Sequence, residues 1–581
     1  MRVLLQDEGG WLQFAAAERV LVASRPGEVW PCLQAAEAAT AAGYYAAGFV
    51  AYEAAAAFGL AVHPAGSPDY PLLCLGLYRP GNVRPVDWPP AGVGAYQLGP
   101  WQAGVDRAAY AQAIAAIKTH IARGETYQVN YTFPLRADFL GQPLALFADL
   151  VRAQQERRLP QEPQGRYAAF VDTGRLAICS ASPELFFRLD GSRLVSRPMK
   201  GTAGRALTQA EDVTRPGWLQ QSAKNRAENV MIVDMIRNDM GRVAAVGSVQ
   251  VPALFAVERY PTVWQMTSTV TAETSAPLSE IMAAMFPCAS ITGAPKHSTM
   301  RIIRALEAEP RGVYTGAIGY LAPGRRAQFN VAIRTVVVEK EPGRATYGVG
   351  GGIVWDSTAE EEYQECQVKA QVLAARRPAF SLLETMLWTP EEGFFLLDYH
   401  LRRLADSAAY FGVPLDEVAV RAQLAVTASG PCKVRLLVAE TGAVGVQVLP
   451  LGEMDGGVRR VGWASRPVSR TDLFLYHKTT QRGVYEAARG SRPGCDEVLL
   501  WNEQGELTEA TTANVVVERD GRRLTPPVAC GLLPGTYRQW LLDQGEIEEG
   551  VIRRETLRPG QRLYLINAVR RWQLAELVGP A

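Results

Sequence analysis

The stretch Gln328-Phe329-Asn330-Val331-Ala332-Ile333-Arg334-Thr335-Val336-Val337-Val338 decides the fold class. Its side chains alternate with the period of a β-strand, with Asn330 and Arg334 on one face and Phe329, Val331 and Ile333 on the other. Pro342-Gly343 reads as a turn, and the chain returns through Tyr347-Gly348-Val349-Gly350-Gly351-Gly352-Ile353. A long antiparallel hairpin is expected, with Arg334 opposite Gly351 to within a residue or two. A guanidinium beside backbone N–H groups that carry no side chain is a cradle for a carboxylate. Glycines weaken a strand, and they often mark the close approach of a ligand.

Similar text surrounds this stretch. Strands are expected at Tyr127 to Phe133, Tyr167 to Val171, Leu176 to Cys179, Leu185 to Leu189 and Gly48 to Glu53. Ala35 to Ala42 reads as helix, and Val105 to Arg123 carries Tyr110, Ile114, Ile117 and Ile121 at 4-3-4 spacing before Gly124. Pro80 to Gly99 is loop text. Short strands mixed with separate helices argue an α+β fold with mainly antiparallel sheets, and no G-x-G-x-x-G or Walker pattern stands at a strand–helix junction. A boundary is expected at Arg376-Arg377-Pro378, giving domains 1–376 and 377–581, the second with hairpin turns at Glu503-Gln504-Gly505 and Asp520-Gly521.

The 581 residues exceed what one core supports. Sixty Lys and Arg against 59 Asp and Glu leave no surplus charge for nucleic acid or an anionic membrane. The N-terminus lacks a signal-peptide core, and eight scattered cysteines without C-x-x-C pairs fit reduced thiols in a cytoplasm and argue against zinc. With five histidines in the chain, chemistry must rest mainly on Lys, Glu, Arg and cofactors.

Ser196-Arg197-Pro198-Met199-Lys200-Gly201-Thr202 offers an ammonium from backbone that Pro198 and Gly201 constrain. A buried lysine that loses its proton is a nucleophile, and a solvated lysine beside a turn is the alternative. Glu228 leads an apolar helix through Asp239. Ser357 and Thr358 each have a glutamate three residues on, the capping-box signature, and Glu362, Glu365 and Lys369 share one helix face. Carboxylates from separate helices are one way to hold Mg²⁺, and capped surface helices are the other reading.

These residues resemble the chorismate-utilising enzymes. The matching motifs are Tyr127-Gln128-Val129-Asn130, Ser182-Pro183-Glu184-Leu185-Phe186, Glu228 to Asp239 with Gly241-Arg242, Ser290 to Lys296, Tyr314 to Tyr320, Asn330 to Arg334 and Gly350 to Lys369. The resemblance implies two large antiparallel sheets flanked by helices around one site. It implies Mg²⁺ on Glu228 and Glu365 with Glu362 nearby, and chorismate bound by Arg334, Lys369 and the Gly350, Gly351 and Gly352 amides, with Ser290 and Tyr320 in the same substrate set. Lysine at position 200 is the choice of aminodeoxychorismate synthase component I, where anthranilate synthases carry a small residue. It implies attack of the Lys200 amine at ring C2, loss of the C4 hydroxyl, and addition of ammonia at C4. Gln265 departs from the histidine usual in anthranilate synthases, and Asn225 from an aspartate common before Glu228.

In the second domain Tyr476-His477-Lys478-Thr479-Thr480 offers another lysine, Glu509 opens Glu509-Ala510-Thr511-Thr512-Ala513-Asn514, and Cys530 to Thr536 runs into a helix. Lysine, carboxylate and a glycine-containing loop at a helix N-terminus are the contacts pyridoxal phosphate needs. With Glu384-Thr385, His400 to Leu404 and Asn567, they resemble the fold-type IV pyridoxal-phosphate family, which includes aminodeoxychorismate lyases and aminotransferases. The resemblance assigns Lys478 to the Schiff base, Glu509 to the pyridine nitrogen, Arg403 with Gly535 and Thr536 to the phosphate, and Asn514 to the same cofactor set. Residues usual before the Glu-Thr strand are missing or supplied by the first domain.

The halves make sense as consecutive steps: amination of chorismate, then loss of pyruvate to give 4-aminobenzoate for folate. The rival is an anthranilate- or isochorismate-type enzyme joined to a class IV aminotransferase. No cysteine sits in the G-x-C-x-G setting of a glutamine-hydrolysing nucleophile, so ammonia is expected from a separate glutaminase subunit or free in solution. A homodimer through the second domain is plausible from the family pattern.

Overall fold

Arg326–Val331 and Thr335–Glu339 are two strands in different sheets, which corrects the expected continuous hairpin arm. The first pairs with Leu185–Asp190 and Ala317–Ala322, the second with Leu176–Ser180 and Arg344–Ile353. The chain changes sheet through Ala332, Ile333 and Arg334. Arg334 takes a left-handed φ of +50°, which costs a non-glycine residue on the order of 1–3 kcal/mol. Hydrogen bonds hold the crossing on both sides: Ala332 N–H donates to Gly316 O at 2.9 Å, Thr315 N–H to Ala332 O at 2.9 Å and Ala181 N–H to Arg334 O at 3.1 Å. Pairing with the glycine strand stops at Val336–Tyr347, so Arg334 does not lie opposite Gly351.

This computed structural model describes residues 1–7, 9–64, 67–88, 93–154, 167–260, 262–371, 379–452 and 457–579. The first compact unit contains an 11-stranded and a 10-stranded sheet, and every pairing in both is antiparallel. A core of Val3, Phe14, Phe49, Val171, Ile178 and Ile318 takes strands from both. Helices Pro26–Ala41, Ala223–Gly241 and Leu278–Met285 bury their apolar faces on the smaller sheet, and Arg107–Ala122, Pro143–Gln154 and Ala359–Gln371 on the larger. Strand Gln128–Gly141 runs beside the glycine strand, setting Gly350 against Thr132, Gly351 against Tyr131 and Gly352 against Asn130. The expected strand at Gly48 to Glu53 is Tyr45–Val50 followed by a 3₁₀ turn from Tyr52, because the Glu53 carboxylate turns to accept Arg311 N–H at 2.7 Å and Gly312 N–H at 3.0 Å.

The second compact unit is not a single continuous piece of chain: Arg205–Arg215 belongs to it together with the residues after the junction. Within it Arg205 pairs with Asp212 at 2.6 Å, and Arg205 donates to Tyr410 O at 2.9 Å. Its four-stranded sheet is antiparallel. Its eight-stranded sheet is mixed, with Arg459–Trp463 parallel to both Glu497–Trp501 and Arg571–Leu577. Helix Leu397–Phe411 packs on the four-stranded sheet through Leu401, Leu404, Ala408 and Phe411. Asp520 and Gly521, at φ +51° and +74°, close a tight hairpin with the doubly left-handed turn that matches strand twist. The junction expected at Arg376-Arg377-Pro378 lies outside the described residues. Among the described residues no helix is long and apolar enough to cross a membrane.

A buried ion pair ties the first unit together. Arg311 and Glu307 are 2% and 3% exposed and meet at 2.7 Å. Arg311 also donates to Asn130 O at 2.6 Å and Ile291 O at 3.0 Å, while Glu307 accepts from Thr132 N–H at 2.8 Å and its hydroxyl at 2.9 Å. Removing one partner leaves a charge buried without compensation. Arg311→Met is therefore expected to cost about 3–5 kcal/mol in urea unfolding. A loss below about 1 kcal/mol would show that water reaches Glu307 freely.

Candidate active sites

Lys200 stands on a β-bulge. Strand Met199–Gly204 pairs Met199 with Thr267 and Thr202 with Gln265, so Lys200 and Gly201 together oppose Met266 alone. Gly201 takes φ +99°, and a Cβ there would press on Asn225 and Met266 at 3.2 Å. Both bulge carbonyls are held by amide side chains: Asn229 donates to Lys200 O at 3.0 Å and Gln265 to Gly201 O at 2.7 Å. Gln265 also accepts from the Thr202 hydroxyl at 3.0 Å. The two departures from the family pattern thus both touch the bulge, Gln265 as its clamp and Asn225 as its neighbour.

Burial pushes the Lys200 ammonium below the ordinary lysine value. Glu228 opposes that shift, Lys369 adds to it, and Glu365 and Glu362 oppose it in turn. Three carboxylates from two helices therefore surround one amine. Burial raises the Glu362 carboxyl, against a 2.7 Å hydrogen bond from the Ser357 hydroxyl. Burial also pushes Glu365 up, but Lys369, 2.8 Å away, brings it below the usual carboxylate range. Thr358 caps the second helix through Glu361, while Ser357 serves Glu362 instead of a capping box. Lys369 closes on the Gly350 carbonyl at 2.8 Å as well as on Glu365. Among the described residues no three His, Cys, Asp or Glu side chains converge at metal-ligand distance.

The glycines leave the room that these groups fill. A Cβ on Gly352 would collide with Lys200 Nζ and lie 2.6 Å from Gln128 Nε2, and one on Gly351 would lie 2.8 Å from Glu362 Oε2. Gln128 is fully buried, and neither amide atom has a hydrogen-bond partner among the described residues. Glu184 is likewise buried with Oε1 unpartnered. Burial pushes its carboxyl up to about 7 against the Ser290 hydroxyl, the Met199 N–H and the Lys200 charge. Gln128 and Glu184 stand in the sequence only as members of longer motifs, with no role of their own expected. Polar neighbours such as Thr126, Asn130 and Thr132 around Gln128, and Ser182 before Glu184, leave no local pattern that singles either residue out. Arg334 lies 5.9 Å from the Tyr260 ring centre, and burial lowers its guanidinium. Tyr320 is not brought to this cluster: its hydroxyl donates to Asp7 at 3.2 Å and its ring lies 5.9 Å from Phe14.

In the second unit a cavity of about 570 Å³ is lined by His400, Arg403, Lys478, Glu509, Asn514 and Thr536, among others. Burial, then Arg403, push the Lys478 amine down to about 8, against Glu384 and Glu509. Glu509 sits on strand Leu507–Ala510, and burial raises its carboxyl to about 7. It accepts from the Tyr485 hydroxyl at 2.8 Å and Leu533 N–H at 3.1 Å. Gly535 caps helix Thr536–Asp543, whose first N–H groups face outward as every helix start does. A Cβ on Gly535 would collide with Asn514 Oδ1, so only glycine permits that approach. Arg403 is gripped by Glu384 at 2.6 and 2.9 Å and donates to Pro534 O at 3.1 Å.

Residues 91–375 match the chorismate binding enzyme family, and residues 381–576 match amino-transferase class IV. Aminodeoxychorismate synthase of Streptomyces griseus is 44% identical over 291 residues, covering 49% of this chain and 38% of that protein. Aminodeoxychorismate synthase component 1 of Escherichia coli is 40% identical over 267 residues, covering 46% of this chain and 56% of that one. The chain thus spans about half or less of these relatives' own length. A crystal structure of the putative 2,3-dihydroxybenzoate-specific isochorismate synthase DhbC of Bacillus anthracis shares the fold, with 18% identity, a TM-score of 0.51, and coverage of 64% of this chain and 94% of that one. Residues 91–375 thus form a chorismate binding enzyme domain, joined in one polypeptide to a class IV amino-transferase domain over residues 381–576.

Proposed function

We propose that this chain makes 4-aminobenzoate, a folate precursor, from chorismate and ammonia in two consecutive reactions. The observation that carries the reading is a buried lysine of lowered proton affinity in each unit, one among carboxylates, the other facing a carboxylate and a helix N-terminus. In the first reaction the Lys200 amine attacks ring C2 of chorismate, electrons shift through the ring, and the C4 hydroxyl leaves as water with a proton from Glu184. Ammonia then adds at C4 and the Lys200 amine is expelled, so the net change is amino for hydroxyl with one water released. Arg334 and Lys369 supply cations for the two carboxylates, and the uncommitted Gln128 amide offers both a donor and an acceptor beside Lys200.

Glu228 and Glu365, with Glu362 beside them, are the groups that would hold Mg²⁺, whose charge would act as a Lewis acid on substrate oxygens. The absence of a three-ligand cage among the described residues fits an ion carried by one or two carboxylates, with water and substrate completing its shell. The second cavity fits pyridoxal phosphate: a lysine with a lowered pKa, a carboxylate opposite it, and a helix start that only glycine opens. When bound, that cofactor supplies an electron sink for the amine-bearing carbon. Lys478 takes the proton from ring C4, pyruvate departs, and the ring becomes aromatic. Glu509 would hold the pyridine nitrogen, Arg403, Gly535 and Thr536 would bind the phosphate, and Asn514 would belong to the same cofactor set. A separate glutaminase as ammonia source fits the likeness to a protein named component 1, and a cytoplasmic setting and pairing through the second domain complete the reading.

Incubation with chorismate, Mg²⁺, ammonium and pyridoxal phosphate is expected to yield 4-aminobenzoate and pyruvate. Anthranilate instead, or consumption of a keto acid without 4-aminobenzoate, overturns the reading. Lys200→Ala should abolish most synthesis from chorismate yet leave elimination from supplied aminodeoxychorismate, and near-normal synthesis would return Lys200 to a structural role. Glu184 must hold its proton to act as an acid, so the first reaction should slow as pH rises through about 7. Glu184→Gln should cut its rate ~10²–10⁴-fold and erase that limb. Borohydride trapping of pyridoxal phosphate on Lys478 should rise through about pH 8, and a midpoint near ~10.4, that of a free lysine, would contradict the buried setting.

A further inference from the structure

We propose that Glu384 is the positioning residue of the second cavity, fixing both side chains that bracket the phosphate-binding helix start. The inference rests on the reading of that cavity as a pyridoxal-phosphate site. Glu384 lies on strand Ser381–Thr389 and is 1% exposed. It meets Arg403 with both oxygens, Nε to Oε1 at 2.9 Å and Nη2 to Oε2 at 2.6 Å, and the same Oε2 lies 2.6 Å from His400 Nδ1. His400 and Arg403 are three residues apart on helix Leu397–Phe411, hence on one face. From there Arg403 Nη1 reaches Pro534 O at 3.1 Å and His400 Nε2 reaches Thr536 Oγ1 at 3.3 Å, on either side of Gly535.

The hydrogen-bond inventory follows from one ionised carboxylate. Burial pushes Glu384 up, but Arg403 and His400 bring it down to about 2, so it only accepts. His400 therefore carries its proton on Nδ1. Burial holds the ring below its ordinary value and thus neutral, so Nε2 accepts from the Thr536 hydroxyl. Among the described residues three of the five guanidinium N–H bonds are committed, one each on Nε, Nη1 and Nη2. The remaining pair, one on each terminal nitrogen, is the fork that grips a phosphate with two bonds. Glu384 also raises the proton affinity of Lys478, which Arg403 lowers.

The test titrates the full chain with pyridoxal phosphate, reading the visible band of the bound cofactor and the pH midpoint of that band. Glu384→Gln is expected to weaken binding at least tenfold and to lower the midpoint, because a negative charge near Lys478 is gone. Glu384→Asp, which keeps the charge but is one methylene shorter, should weaken binding while leaving the midpoint near wild type. It carries the test alone if the amide variant does not fold. In an Arg403→Gln background Glu384→Gln should add little further loss of affinity. Wild-type affinity in Glu384→Asp, or an equal loss from Glu384→Gln with and without Arg403, overturns the proposal. A wild-type chain that forms no visible band would instead sink the cofactor reading itself.

Discussion

The first site depends on three consecutive strand positions, Gly350, Gly351 and Gly352, that carry no side chain. Any methyl group at position 352 would press on both the Lys200 amine and the Gln128 amide, and one at 351 would displace the Glu362 carboxylate. Because the strand is bare, groups from a second sheet and from helix Ala359–Gln371 approach its backbone closely enough to share one small volume. The bulge at Lys200–Gly201 aims the lysine into that space, and the Asn229 and Gln265 amides keep the bulge from relaxing. Removing side chains from one wall is what lets charged side chains from the others coexist.

Both sites use the same electrostatic device with different partners. An amine is buried, which disfavours its charge, and carboxylates nearby restore part of it. Around Lys200 the Glu228, Glu362 and Glu365 carboxylates are partly exposed, and Glu365 is committed to Lys369. Around Lys478 the carboxylates are deeply buried and individually partnered, Glu384 by Arg403 and His400, Glu509 by Tyr485 and Leu533.

The sequence revealed the antiparallel class, the lysines, the acids and the bare strand, because each leaves a pattern in residue type or spacing. The change of sheet at Arg334 was hidden. Residues 327–331 and most of 335–339 are buried on both faces, so alternation there carries no inside–outside signal that a break would disturb. Tyr320 entered the substrate set through the resemblance alone, and the partner its hydroxyl takes, Asp7, lies more than 300 residues away in the chain. Gln128, Glu184 and Glu384 owe their roles to burial without solvent, which no local pattern reports.

The strand that carries Lys200 ends at Gly204, and the next eleven residues are counted in the other compact unit, where Arg205 is sealed against Asp212 and Tyr410. The second unit is therefore not a module that could be lifted out as residues 377–581. During synthesis on the ribosome its missing piece emerges first and must wait for about 195 further residues before Tyr410 exists. Keeping the two units in one polypeptide is then more than a convenience of shared expression: a gene split at the junction would leave the first product holding part of the second unit's interior.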